Sequence, residues 1–236
     1  SQPLCFAVRK GDQEMLNELN EGLAVVMANG TSRQLHDKWF SDIESGARER
    51  SRIVIGGDCA YPPYEFLDEN GQPAGYIVDL TRAIADRMGL HVDIQLDDWG
   101  RVRERLKRGE IDVLQGMFYS AARDGEFDFS PPHSVVPHVA VTRDGDSDIP
   151  SLAELSGKRI VIMAGDIMHD LLIKRGYGNQ VSTVPSLEEA LRGLAAGNYD
   201  CTLGARVPAQ YFIRKNGWKN LKVSEASLLV PEYCYA

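Results

Sequence analysis

The residues able to do chemistry are few and scattered. Cys5, Cys59, Cys201 and Cys234 show no C-x-x-C spacing and stand in apolar, strand-like surroundings. That disfavours a zinc site or a redox motif and favours buried thiols, while a disulfide stays open because spacing alone cannot choose a pair. No Ser-His-Asp arrangement, metal-ligand spacing or phosphate-cradling glycine loop occurs, so neither a metal nor a cofactor is expected. Asp166, Glu65 and His169 are the plausible general acids or bases. Arg123 carries a planar fork of donors that matches a carboxylate, although Asp124 and Glu126 beside it could hold it in a surface ion pair instead. His133 and His169 could respond to pH, with a solvated or core position as the competing reading for each.

These groups must be positioned by a globular framework. The chain has 236 residues, of which 43% are hydrophobic and 25% charged, a composition that excludes disorder, collagen-like repeats and coiled coils. Its formal charge of −8 argues against a nucleic-acid partner or an anionic membrane surface. No apolar run approaches the roughly 18 to 20 residues needed to span a bilayer, and no signal-peptide order occurs at the N-terminus.

Residues 12–28 read as an amphipathic helix capped by Asp12, with Met15, Leu16, Leu19, Leu23 and Val26 at helical spacing. A second short helix runs to Trp39 and Phe40, and residues 41–50 read as a polar linker. From residue 52 strands and helices alternate. A strand at 52–56 is followed by a hairpin turning at Asn70-Gly71 and by a helix with Ile77, Leu80, Ile84 and Met88 on one face. A strand through Val92, Ile94 and Leu96, a helix at 100–108 and a strand at 111–114 complete the first unit. The pattern restarts after an apolar strand at 135–141. Ser151 with Glu154 and Ser186 with Glu189 form S-x-x-E capping boxes on either side of a strand at 159–163. A strand at 181–184, a helix through Leu187, Leu191 and Leu194, and a strand at 200–203 follow. Such alternation predicts an α/β fold, two similar lobes with mostly parallel sheets joined by extended crossings.

The stretches GGDCAYPPYEFLDENGQPAGYIVDLTRAIADRMG, DDWGRVRERLKRGEIDVLQGMFYSAARDGEFDFSPPH and LAELSGKRIVIMAGDIMHDLL resemble, in order and spacing, the family-3 solute-binding proteins of type II (Venus-flytrap) fold. The likeness covers residues 52–236 almost continuously. GMFYSAAR, FDFSPPH, GDIMHDLL and YDCTL look most like the modules, often in tandem, that precede the membrane span of hybrid sensor histidine kinases. The resemblance implies a periplasmic-binding-protein type II fold with lobe 1 at 51–136, lobe 2 at 137–232 and a return hinge strand at 233–236. Residues 1–40 resemble the usual C-terminal segment of such a module, placed at the N-terminus. Either a cut between tandem modules or a circular permutation explains this order. Leu4-Cys5-Phe6-Ala7, repeated as Tyr233-Cys234-Tyr235-Ala236, favours the cut. That segment is expected to cover an apolar face of lobe 1, within the chain or by exchange between two chains, which would give a homodimer.

The resemblance also implies a site. Asp58 and Tyr61 match the loop after the first strand, Trp99 the aromatic that stacks on the ligand, and Gly116, Met117, Phe118 and Tyr119 the stretch offering backbone groups. Arg123 matches the arginine that grips a ligand carboxylate. The second lobe is expected to contribute residues 164–169, where a helix begins and free N–H groups favour an anion. Asp166 either caps that helix or accepts a ligand ammonium, and His169 adjoins it. At Gly204-Ala205-Arg206 the aspartate that usually takes the α-amino group is missing, which disfavours an ordinary L-amino acid, while Arg123 and Arg206 together point to a carboxylic or dicarboxylic acid; the expected ligand is a small organic acid or an amino-acid-like solute. The expected function is an extracytoplasmic sensor domain of a membrane-bound histidine kinase receptor, anchored by segments outside this chain. The alternatives are a free binding protein of an ABC importer and, further off, an enzyme resembling periplasmic cyclohexadienyl dehydratases.

Overall fold

The computed structural model describes residues 7–45 and 52–236, and the chain divides into two compact units, Ser1–Ser51 and Arg52–Ala236. In the first unit, helix α1 (Gln13–Ala28) starts where Asp12 accepts a hydrogen bond from the Met15 amide at 3.2 Å. It stops at Asn29 and Gly30, whose φ of +79° suits a residue without Cβ. Helix α2 (Thr31–Ser45) runs through the first half of the expected linker; residues 46–51, and Leu4, Cys5 and Phe6 at the start, lie outside the described residues. Helix α1 buries none of its side chains, and Met27 and Trp39 are 63% and 66% exposed.

The second unit is built on two parallel-strand layers. Strand β1 (Ile53–Asp58) leads through β2 (Ala60–Tyr61), β3 (Glu65–Leu67) and β4 (Pro73–Ala74), a small antiparallel sheet, into α3 (Tyr76–Met88). β5 (Val92–Asp97), α4 (Trp99–Lys107) and β6 (Val113–Leu114) follow, giving a parallel sheet of order β5-β1-β6. Parallel neighbours require crossover connections, and α3 and α4 supply them. The buried face of α3 consists of Ile77, Val78, Thr81 and Ala85. Ile84 and Met88, expected on that face, are exposed. The helix is turned by Thr81, whose hydroxyl lies 3.0 Å from Gln115 Oε1 and 3.1 Å from Tyr235 Oη, so a polar anchor overrides the apolar stripe.

Short strands β7 (Met117–Phe118) and β8 (Ser134–Val135) lead to β9 (His138–Arg143). The single strand expected at 135–141 is interrupted at Pro137, which has no N–H to donate to a ladder. Next come β10 (Ile160–Met163), α5 (Ile167–Lys174), β11 (Val181–Val184), α6 (Leu187–Ala195), β12 (Cys201–Ala205), α7 (Arg206–Asn216), β13 (Leu221–Leu229) and β14 (Glu232–Cys234). Strands β10 to β13 join β9 in the second sheet, β11-β10-β12-β9-β13, parallel through β12 and antiparallel at β9 and β13. Ile160, Val161 and Ile162 in β10 are fully buried, as a central strand covered on both faces requires. Of the two capping boxes, Ser186 starts α6 by accepting from the Glu189 amide at 3.3 Å, whereas Ser151 and Glu154 close only a 3-10 turn, Leu152–Leu155. Strand β14 returns to pair with β7 and β8, and Ala236 exchanges backbone bonds of 2.9 and 2.6 Å with Leu114 in the first sheet.

Candidate functional site

Strand β1 ends at Asp58 through Gly56 and Gly57. A Cβ on Gly57 would overlap Glu65 Oε2 and come within 2.8 Å of Leu96, so the glycine lets a carboxylate lie against the strand backbone. Glu65, on β3, is fully buried. Its Oε1 accepts from the Asp58 amide at 3.1 Å and the Tyr233 hydroxyl at 3.2 Å, and its Oε2 from Gln115 Nε2 at 2.9 Å. Burial pushes Glu65 up to about 8 and outweighs these bonds. Asp58 accepts from the Ala60 amide at 2.8 Å, and burial, with Asp166 and Asp98 adding repulsion, pushes it up to about 7.

Asp58, Glu65, Tyr61 and Trp99 meet Asp166 and Ile167 around a cavity of about 20 Å³, which Gly116, Phe118, Met163 and Tyr233 complete. It has room for roughly one water-sized group. The Tyr61 hydroxyl is buried there without a hydrogen-bond partner. Phe118 stacks on Tyr233 at 4.5 Å and meets the His138 ring edge-on at 4.7 Å. His138 is itself buried, with Nδ1 2.9 Å from the Val136 carbonyl and Nε2 unpartnered, and burial lowers its pKa.

The two layers are bonded beside this cavity. Trp99, the first residue of α4, donates its indole N–H to the Gly165 carbonyl at 2.8 Å. Arg123, only 2% exposed, donates to the same carbonyl at 3.0 Å, to the Phe118 carbonyl at 3.3 Å, and to Asp170 Oδ2 at 2.7 and 3.1 Å. Arg103 adds a longer bond to Gly165 at 3.4 Å. Asp166 caps α5, accepting from the Met168 amide at 2.7 Å, and also lines the cavity.

Of the residues singled out in the sequence, Asp58, Tyr61, Trp99, Gly116, Phe118 and Asp166 are brought together. Met117 is buried in the core of the first layer, and Tyr119 is 37% exposed against Phe129. His169 lies in the first turn of α5, where its Nδ1 accepts from the Gly165 amide at 3.2 Å. The expected pair of arginines is not formed. Arg206 opens α7 and donates to the carbonyls of Ser224 at 3.0 Å and Glu225 at 2.8 Å, where β13 slips its register against β9. These two bonds hold the guanidinium against β13. Gly165, within the expected stretch 164–169, accepts from Trp99 and Arg123, whereas Asp170, Met163 and Tyr233 join the site without a local sequence signal, since only the fold brings them there. Cys59, Cys201 and Cys234 are free thiols, and no group of three metal-ligating side chains occurs among the described residues.

Two α/β layers closing on a buried polar cleft define a binding protein of the Venus-flytrap class, and residues 53–222 match the family described as bacterial extracellular solute-binding proteins, family 3. The chain belongs to that family. It is similar to a solved histidine kinase sensor domain that resembles periplasmic binding proteins, with 43% identity, a TM-score of 0.77, and coverage of 80% of this chain and 83% of that one. An ancestral arginine-binding protein, solved bound to arginine, is 27% identical at a TM-score of 0.73, with 80% and 85% covered. The L-cystine-binding protein TcyA of Bacillus subtilis (strain 168) is 24% identical over 203 residues, 86% of this chain and 75% of that protein. No helix among the described residues is long and apolar enough to cross a membrane.

Proposed function

We propose that this chain is the extracytoplasmic sensing domain of a membrane-bound histidine kinase receptor, which binds an amino-acid-like solute between its two layers and signals by their closure. The observation that carries this reading is the 43% identity to a histidine kinase sensor domain, well above the identity to the transport binding proteins. The cleft supports a binding role. Its carboxylates Asp58 and Glu65 accept hydrogen bonds from the surrounding chain. The bonds from Trp99 and Arg123 to Gly165 and Asp170 cross from one layer to the other, so a ligand with different affinity for the two arrangements would shift their balance. The names of the cystine- and arginine-binding relatives support an amino-acid-like solute. The apolar groove on the first sheet, formed by Ile53, Ile55, Ile84, Val92 and Val113, supports a helical cover of the kind expected of residues 1–40, in one chain or by exchange in a homodimer, which sedimentation at rising concentration tests.

In the full-length protein, a solute that raises the melting temperature of this domain should also change histidine phosphorylation. A solute that binds and leaves phosphorylation unchanged, while loss of the protein abolishes its uptake, would establish the importer role instead.

A further inference from the structure

We infer that Asp170 is an internal competitor for the solute: its carboxylate fills the anion-binding place formed by Arg123, Arg103 and Trp99, and a solute carboxylate gains that place only by displacing it. The inference rests on the cleft being the solute site and adds a residue that sets how tightly and how selectively that site binds.

Arg123 already grips a carboxylate, and that carboxylate belongs to the chain. Its Nε and Nη2 donate to Asp170 Oδ2 at 3.1 and 2.7 Å. Both bonds land on one oxygen, so the pair forgoes the parallel two-oxygen fork that a carboxylate free of a helix can reach. The two partners also differ in what holds them. Asp170 is 40% exposed, so water can replace what it gives up, whereas the Arg123 side chain is 2% exposed and needs another acceptor before it can release this one. A solute carboxylate supplies such an acceptor. Asp170 is therefore the member that yields.

The surroundings hold more donors than Asp170 satisfies. The Arg103 and Arg123 guanidinium groups both lie over the Trp99 ring, 5.8 and 5.9 Å from its centroid. Arg103 donates to the Gly165 carbonyl at 3.4 Å, and its Nε is buried without a partner. Burial, with Arg123 adding repulsion, lowers the Arg103 pKa, as expected of a cation that one nearby acid compensates only in part. Glu126 is no substitute, because Lys107 holds it at 2.7 Å. The Gly165 oxygen, with two lone pairs, faces three donors, from Trp99 at 2.8 Å, Arg123 at 3.0 Å and Arg103 at 3.4 Å. A carboxylate entering beside it would meet the open Arg103 Nε and the Arg123 fork together. Trp99 also lines the cavity, so this place adjoins the solute space.

The test is chemical rescue followed by calorimetry, on the whole chain. Asp170→Ala should lower the melting temperature by about 4 °C, and about 50 mM sodium acetate should restore at least half of that loss where sodium chloride of equal ionic strength does not. The wild type, with its place already filled, should not respond to acetate, and neither should the double variant of Arg123→Ala and Asp170→Ala. Calorimetry then compares L-arginine and L-cystine with their carboxamides. Asp170→Asn, which keeps the shape of the side chain and does not depend on the alanine variant folding, should bind the amino acids about tenfold more tightly than the wild type and the amides no more tightly. Arg103→Gln should remove part of that gain. Acetate that stabilises wild type and Asp170→Ala alike, or neither, would overturn the inference, as would amino acids bound no more tightly by Asp170→Asn or amides that gain as much as they do. Rescue by acetate with no amino acid bound by any of these proteins would support the place held by Asp170 and overturn the amino-acid-like reading of the solute.

Discussion

Replacing Arg123 by alanine should destabilise the second unit by about 3 kcal/mol, because one side chain makes four hydrogen bonds, three of them across the two layers. Its two bonds to Asp170, at 2.7 and 3.1 Å, are charge-assisted, and net values for such bonds are about 1.5 to 3 kcal/mol. Asp170 is 40% exposed, however, so water replaces much of what it loses and the pair stands between an exposed one, worth less than about 1 kcal/mol, and a buried one. A coupling of about 1 to 2 kcal/mol is therefore expected in the cycle of Arg123→Ala, Asp170→Ala and the double variant. The rest comes from the carbonyls. Gly165 keeps its bond from Trp99, whereas Phe118 loses its bond from the guanidinium. Urea denaturation measures the cycle, and small-angle scattering should show a larger radius of gyration for Arg123→Ala, since a bond between layers has gone. A single-variant loss below about 0.5 kcal/mol with no coupling would refute the reasoning, because it would mean Arg123 and Asp170 do not meet in solution.

Glu65 and Asp58 make stability depend on pH in a defined direction. Both bind protons more tightly folded, near about 8 and about 7, than at their ordinary values of 4.5 and 3.8, so the folded state holds more protons in that window and stability falls as pH rises through it. Glu65→Gln should flatten most of the fall in urea midpoint between pH 5 and 8; a wild-type midpoint constant across that range would mean the buried carboxyls are not perturbed. Gly57→Ala should cost about 2 kcal/mol or more in the same assay, because its Cβ would displace Glu65 from the strand, and a neutral effect would place that carboxylate elsewhere.

The framework was legible where local signals agree. The strands at β5, β10 and β11 lie where apolar residues alternate or run continuously, Asp12 caps α1, and Ser186 caps α6. Reading was poorer where a distant contact overruled a local pattern. The stripe Ile77, Leu80, Ile84 and Met88 has good helical spacing, yet Thr81 faces inward because Gln115 and Tyr235 are there to meet it. Helix α7 has no counterpart among the expected elements; its Pro208 stands in the first turn, where the missing N–H costs nothing.

The sign of the cleft was the hardest feature to read, and the reason is physical. Arg123 has acidic neighbours at Asp124 and Glu126, and either could be taken as its partner or dismissed, leaving a free guanidinium for a ligand. Its actual partner is Asp170, which arrives from the other layer only when the two sheets face each other. Arg206 likewise looks free beside Gly204 until the bulge in β13 presents two carbonyls to it. Periodicity assigns a residue to a face of its own element and says nothing about the charge it meets across a cleft. The partners of both arginines thus follow from how the layers and the bulge come together, which no local pattern encodes.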